Sequence, residues 1–351
     1  MPTLRRWFER EYKRLDGEGK SALVDCFEAF NRAFFEGDYA AVLDSIPDLT
    51  CLAEALGEPV WQVVVDYYAA TASIYWRGDL GRGLDIATRA MAHAERLGAG
   101  RSIPALYARE ALLYAWLETD GPGYAGNVSA ALDEFPPDGL TPDLVARFSL
   151  VRAHCLAATG QGEAALLLAL QSLPALEWPK AYQHNLRASA LGWAGRHTEA
   201  LREYRAAIRG FDELGHSIER NSARLGQAEA LLALGRVDEA LTALEEALDA
   251  AERSINQAHM GCAQGLTGRA LLASGDMEGA AAWFGAALET LNGLGWLRTE
   301  VEYALARARA LHGLAGTEAQ AALEEAERRA RRLRSGDLQR EVEELRRGNL
   351  C

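Results

Sequence analysis

A chain of 351 residues with 49% hydrophobic and 25% charged residues has the composition of a folded globular protein and is too apolar for a disordered one. Its 37 basic and 50 acidic residues leave a net charge of −13, which repels phosphate at long range and argues against general nucleic-acid binding. Ten prolines and 33 glycines without a three-residue period exclude collagen, and the lack of any run of about 18 apolar residues argues against membrane insertion.

The first residues, Met1 to Trp7, include two arginines, but Glu9, Arg10, Glu11 and Lys13 interrupt any apolar run. They read as a capping helix over 3–16, not as a secretory leader. Gly19-Lys20-Ser21 imitates the end of a phosphate-binding loop, but Arg14 stands where its first glycine belongs; a turn followed by Ser21 as helix N-cap is the expectation. From there glycine-centred turns recur at Gly37, Gly78, Gly121, Gly160, Gly195, Gly235, Gly275 and Gly316, at steps of 41, 43, 39, 35, 40, 40 and 41. A length prior of about 150 residues per domain would suggest two domains, and this period overrides it.

Around each glycine the apolar pattern is helical. Val237, Ala240, Leu241, Leu244, Ala247 and Leu248 mark one stripe after Gly235. A small residue follows five positions after most turns (Ala165, Ala200, Ala240, Ala280, Ala321), and another follows twelve after the central ones (Ala207, Ala247, Ala287). These are expected points of close helix approach. A looser turn comes about 20 residues later at Gly57, Gly98, Gly215 and Gly295. Each unit is therefore helix, tight turn, helix, looser turn. Val63-Val64-Val65 occupies a first-helix slot and is expected to be helical despite its strand-like composition.

Gly195/Ala200/Tyr204/Ala207, Gly235/Ala240/Leu244/Ala247 and Gly275/Ala280/Phe284/Ala287 resemble the tetratricopeptide repeat (TPR) pattern. The period near 40 is similar to that of the long-repeat variant in sensor domains of bacterial regulators. The resemblance implies an all-α helical-hairpin solenoid, a right-handed superhelix of about eight helix pairs. Its first helices would line the concave face. The expected organisation is a cap over 1–19, repeats 1–3 over 20–135, repeats 4–8 over 136–334, and a C-terminal cap over 335–351. The irregular stretch with Gly121-Pro122-Gly123 and Pro136-Pro137-Asp138-Gly139 lies between the two sub-arrays.

Little in the chain suggests catalysis. Gly121 to Gly126 spells G-x-G-x-x-G, but a helix pattern precedes it where a dinucleotide site needs a strand. The seven histidines form no H-x-x-x-H pair; His259 and Cys262 share a helix face, but two ligands do not make a zinc site. Paired glutamates such as Glu245-Glu246 read as solvated faces. No enzyme activity, cofactor or metal is expected. The dispersed cysteines at 26, 51, 155, 262 and 351 suit a reducing cytoplasm, with their thiols expected to be buried.

Three features bear on binding. Seventeen of the 28 aromatic residues lie before residue 126, which fits a bulky core or an aromatic-lined surface. Residues 328–347 carry eight arginines, read as a capping segment laced by pairs such as Glu327–Arg331. Finally, polar rows stand eight residues before the turn glycines (Arg152, Arg187, Gln227, Thr267) and eleven before (Ser149, His184, Arg224, Gln264). Stacked repeats would align Arg152, Arg187 and Arg224 in a groove suited to carboxylates, with Tyr182, Asn185 and Trp193 adding contacts. The alternative is that these residues pair with glutamates of the second helices. The expected function is a cytoplasmic protein-interaction scaffold that grips a peptide or partner protein, acidic ones included, in the concave face; a ligand-responsive regulatory sensor is the alternative. A homo-oligomer is compatible with either.

Overall fold

The computed structural model describes residues 2–96, 98, 100, 102–134, 140–176, 178–312, 317–334 and 336–347. Helix α1 (Pro2–Gly17) precedes eight helix pairs. These are α2 (Ser21–Glu36) with α3 (Tyr39–Leu56), α4 (Pro59–Thr71) with α5 (Leu80–Arg96), α6 (Ile103–Asp120) with α7 (Pro122–Asp133), and α8 (Pro142–Ala158) with α9 (Gly162–Ser172). The array continues with α10 (Lys180–Trp193) and α11 (His197–Leu214), α12 (Ser217–Ala233) and α13 (Val237–Glu252), α14 (Gln257–Ala273) and α15 (Met277–Leu291), then α16 (Leu297–His312) and α17 (Thr317–Ala330). Helix α18 (Gly336–Arg346) caps the end, and there is no strand among the described residues. The fold is the expected all-α repeat solenoid.

The turns are built as the sequence implied. Gly235 adopts φ +69°, and the amide of Arg236 behind it donates to Leu231 O at 2.9 Å, closing α12 through a left-handed residue that only glycine adopts cheaply. In the G-x-G-x-x-G stretch only Gly121 turns the chain, between α6 ending at Asp120 and α7, whose first residues are Pro122 to Gly126. Val63, Val64 and Val65 are buried in α4. Ser21 is not an N-cap: α2 begins at Ser21, and Lys20 takes the cap position without a capping side-chain bond. Gly316 and Pro136 to Gly139 lie outside the described residues.

Packing follows the alanines. Ala165, Ala200, Ala240, Ala280, Ala207, Ala247 and Ala287 are fully buried, so neighbouring helices approach on methyl groups. In the last pair Ala321 is exposed, and Ala322 and Ala326 take the contact, one register step later than expected. The N-terminal aromatics are largely core: Trp61, Tyr67, Tyr68 and Tyr107 are buried in one cluster running from Leu4 to Cys155. The thiols divide, with Cys155 buried but Cys26 and Cys51 exposed, which corrects the expectation that they would be buried; Cys351 lies outside the described residues.

The array also touches itself across a superhelical turn. Tight turns of the first three pairs dock onto looser turns of later pairs. A Cβ on Gly37 would come within 2.9 Å of the His216 ring, between α11 and α12, and the Tyr39 hydroxyl donates to Glu219. At the second pair, Asn256 Nδ2 donates to Tyr75 O at 2.9 Å, Gln257 N to Arg77 O at 3.2 Å, and Trp296 Nε1 to Gly78 O at 2.7 Å. Gly81 N donates to Leu294 O at 3.0 Å. At the third pair, Asp120 accepts from Arg334 N at 2.6 Å, and the Arg334 guanidinium sits 5.0 Å from the centre of the Tyr124 ring. Pair 1 meets the junction of pairs 5 and 6, pair 2 the junctions of 6 with 7 and of 7 with 8, and pair 3 both the start and the end of pair 8. Successive superhelical turns thus meet along a seam, and the concave face becomes a lumen.

Candidate functional site

The seam brings first helices from distant pairs around one space. Glu118 on α6, Glu229 on α12, Arg269 on α14 and Glu302 on α16 lie near enough to sense one another's charge. Burial pushes the Glu229 carboxyl above its ordinary range; Arg269 opposes the shift, and the negative charges of Glu302 and Glu118 reinforce it. Glu302 is raised for the same first reason, although Arg298 Nε pairs with it at 3.0 Å. Glu229 is itself solvent-exposed and has no hydrogen bond or ion pair among the described residues. It is open to solvent, yet protein atoms of several helices crowd around it. On α14, burial raises the Cys262 thiol to about 12 and lowers the His259 imidazole to about 4, and Cys262 also feels Glu229 and Glu118.

One wall is aromatic. Tyr75, Tyr114, His154 and Trp193 form a ladder across four consecutive first-helix positions, with ring centres 5.4, 5.6 and 5.2 Å apart. Such spacings are those of favourable ring pairs. Tyr75 reaches the ladder because α4 continues as a π-helical turn, Ala72–Trp76, where Arg77 N bonds Ala72 O at 3.0 Å. The extra residue in that turn rotates the following side chains. Trp76 is thereby buried against Tyr39, and Tyr75 stays partly exposed. His154 Nδ1 lies 3.7 Å from Glu118, and Tyr114 stands close enough to feel the charge of the same carboxylate. The ladder therefore runs into the acidic cluster.

The residues expected from sequence are distributed differently. Arg152 pairs with Asp133 on α7 at 3.0 Å, Arg187 with Glu203 on α11 at 3.5 Å, and Arg224 with Glu246 on α13 at 3.1 Å. His184 shares Glu203, and Gln264 accepts from Thr290 on α15. Five of the eight row members, Arg152, Arg187, Arg224, His184 and Gln264, are thus held by second helices, whereas Thr267 donates to Ala263 O of its own helix. Gln227 is half-buried on α12 and makes no side-chain hydrogen bond among the described residues; Asn185 is half-buried, its carbonyl accepting from Ser189 Oγ. Tyr182 joins the seam, donating to Glu219 at 3.0 Å and lying 2.9 Å from His216 Nδ1. Of the seven, Trp193 belongs to the ladder.

The row six residues before the turn glycines supplies His154, Glu229 and Arg269 to the lumen, while its fourth member, Ser189, lies 3.3 Å from the Tyr204 hydroxyl on α11. Two residues of helix rotate a side chain by about 200°, so this row lies opposite the row at eight. Both rows are polar, and polarity alone could not rank them. A signal was present in Trp193, four residues beyond Ser189 on the same helix face.

No family model and no curated protein matches the chain. Solved structures do. A Rap protein complexed with Competence and Sporulation Factor superposes with a TM-score of 0.59 at 15% identity, covering 77% of this chain and 77% of that one. NprR in complex with its cognate peptide NprX gives 0.55 at 15% identity, over 78% and 83% of the two chains. The apo form of the quorum sensor NprR from B. thuringiensis gives 0.53 at 15% identity over 93% and 94%. The chain has the TPR-like fold of these proteins. No helix among the described residues is long and apolar enough to cross a membrane, and no group of three or more metal-ligating side chains occurs among them.

Proposed function

We propose that this chain is a non-catalytic binding module that takes an extended peptide, or a segment of a partner protein, into its lumen, and that the bound segment carries positive charge. The observation that carries this is the aromatic ladder ending on Glu118, with Glu229 and Glu302 nearby and Arg269 and Arg298 opposing them. Ring faces and carboxylates together suit ammonium and guanidinium groups. This replaces the acidic ligand expected from the arginine rows, whose cations are already paired. Similarity of fold to Rap and NprR structures described as complexes with a factor and a peptide supports the peptide reading. It also supports a regulatory sensor as the second reading. The exposed, unbridged Cys26 and Cys51 fit a cytoplasmic location. As organisation, residues 20–135 and 136–334 form two sub-arrays between caps at 1–19 and 335–351.

Fluorescence anisotropy with length-matched labelled peptides bearing arginine, glutamate or neutral residues tests the charge. Arginine peptides should bind best, and Glu118→Gln with Glu229→Gln should weaken them by about tenfold or more. A cation favours ionised Glu229, so binding should release protons and tighten as pH rises through that group's titration. Preference for glutamate peptides, or full affinity in the double variant, would refute the reading.

A further inference from the structure

Along the array, each helix pair shares an apolar core with the next, through buried leucines, alanines and aromatics. The seam is different in kind. Its apolar part is small among the described residues: Ile218 joins the N-terminal core, Ala258 packs on Gly78, and the partly buried Trp296 touches both the first and the last large cluster. The rest is a row of single polar contacts between turns: Tyr39 to Glu219, Asn256 to Tyr75, Gln257 to Arg77, Gly81 to Leu294, Trp296 to Gly78 and Arg334 to Asp120. At the centre, backbone meets backbone. A Cβ on Gly78 would stand 2.4 Å from Ala258 Cβ and 2.5 Å from Asn256 Oδ1, and one on Gly295 would stand 2.5 Å from Gly81 N. Parting these contacts exposes mainly polar groups that water can satisfy, whereas parting two helix pairs exposes an apolar core.

We infer that the seam is a gate: the superhelical turns part there while the helix pairs stay folded, and this opening admits a ligand to the lumen. The inference rests on the lumen being the binding site. Local opening follows the plane with the fewest buried apolar contacts, and here that plane is one wall of the lumen. A ligand spanning α6 on one side and α12 to α16 on the other would tie the two leaves together. Binding would then hold the gate shut, because it is stronger to the closed state than to the open one.

The test needs no known ligand. In the unaltered protein, the amides of Gly81 and Gln257, which donate across the seam, should exchange hydrogen together and faster than the interior amides of α12 and α14. Exchange as slow as those interiors would overturn the gate. Trp296→Phe removes the donor to Gly78 O and keeps a ring, and Asn256→Ala removes the bond to Tyr75 O. Each should raise the open population, and with it alkylation of Cys262, by about fivefold. The exposed Cys26 and Cys51 serve as references, and circular dichroism reports the fold. Unchanged Cys262 labelling in both variants with helicity intact would also overturn it. An arginine-bearing peptide at saturation should slow Cys262 labelling in the unaltered protein. If the gate opens as expected but no such peptide protects Cys262, the ligand reading fails and the gate stands; if the peptide binds but the amides and Cys262 behave as core, the gate fails and the ligand reading stands.

Discussion

Gly265 on α14 tests whether close helix approach, and not composition, sets the stability of the C-terminal pairs. A Cβ added there would stand 2.1 Å from Cε2 and Cζ of Tyr303, whose ring is buried and whose hydroxyl donates to Cys262 O at 3.4 Å. That is more than an ångström inside the ~3.5 Å at which carbons attract, and a buried ring cannot swing aside. Gly265→Ala gains about 1 kcal/mol of helix propensity but overpacks at a cost near the upper end of roughly 1–3 kcal/mol, or beyond. The net expectation is a loss of about 1–3 kcal/mol. With an unfolding entropy of about 2.1 cal/mol/K per residue, a chain of this length melts roughly 1–2 °C lower per kcal/mol. Gly126→Ala is the matched control: it lies in the interior of α7, and a Cβ there meets nothing within 4 Å. It should raise stability by about 0.5–1 kcal/mol. Thermal melts, with hydrogen exchange in α14 and α16 to localise the effect, decide the matter. Gly265→Ala melting with or above Gly126→Ala would show that α14 and α16 do not pack as described.

Two further expectations follow from buried charge. Arg147 is 3% exposed, pairs with Glu110 and Asp143 at 3.2 and 3.3 Å, and lies between the rings of Tyr107 and Trp178. Arg147→Ala strands two carboxylates, one of which burial already pushes upward, and should cost about 3–5 kcal/mol by urea unfolding. Burial holds His259 neutral down to about 4 from an ordinary 6.5. As pH falls the unfolded chain takes up this proton first, so the contribution is complete above about 6.5 and drains away toward 4, by roughly 3 kcal/mol. His259→Gln should flatten that part of the stability profile; an unchanged slope would show that the imidazole titrates normally.

Local order was legible in the sequence to a large extent. The glycine steps placed the tight turns, the alanines at five and twelve marked the helix contacts, and the valine run was assigned to helix by its slot in the period. These features depend on neighbours a few residues away, or one repeat away, where spacing translates directly into geometry. In the last pair Ala322 takes the place expected of Ala321.

The candidate site was legible only in part. The arginine rows and the row at six residues before the glycines are equally polar and equally periodic. Which of them faces the lumen depends on where the second helices lie, and these supply Asp133, Glu203 and Glu246 to the arginines. The π-helical turn that carries Tyr75 to the ladder inserts one residue into a helix, a change invisible to a 3.6-residue period. The seam joins residues about 180 to 220 apart, such as Tyr75 with Asn256 and Gly78 with Trp296. Sequence alone therefore determined the repeat, its turns and its helical pairs, since each is set by short-range spacing. The closure of the superhelix, and with it the aromatic and acidic character of the lumen, was decided by tertiary structure, because small rotations between successive pairs accumulate until distant turns meet.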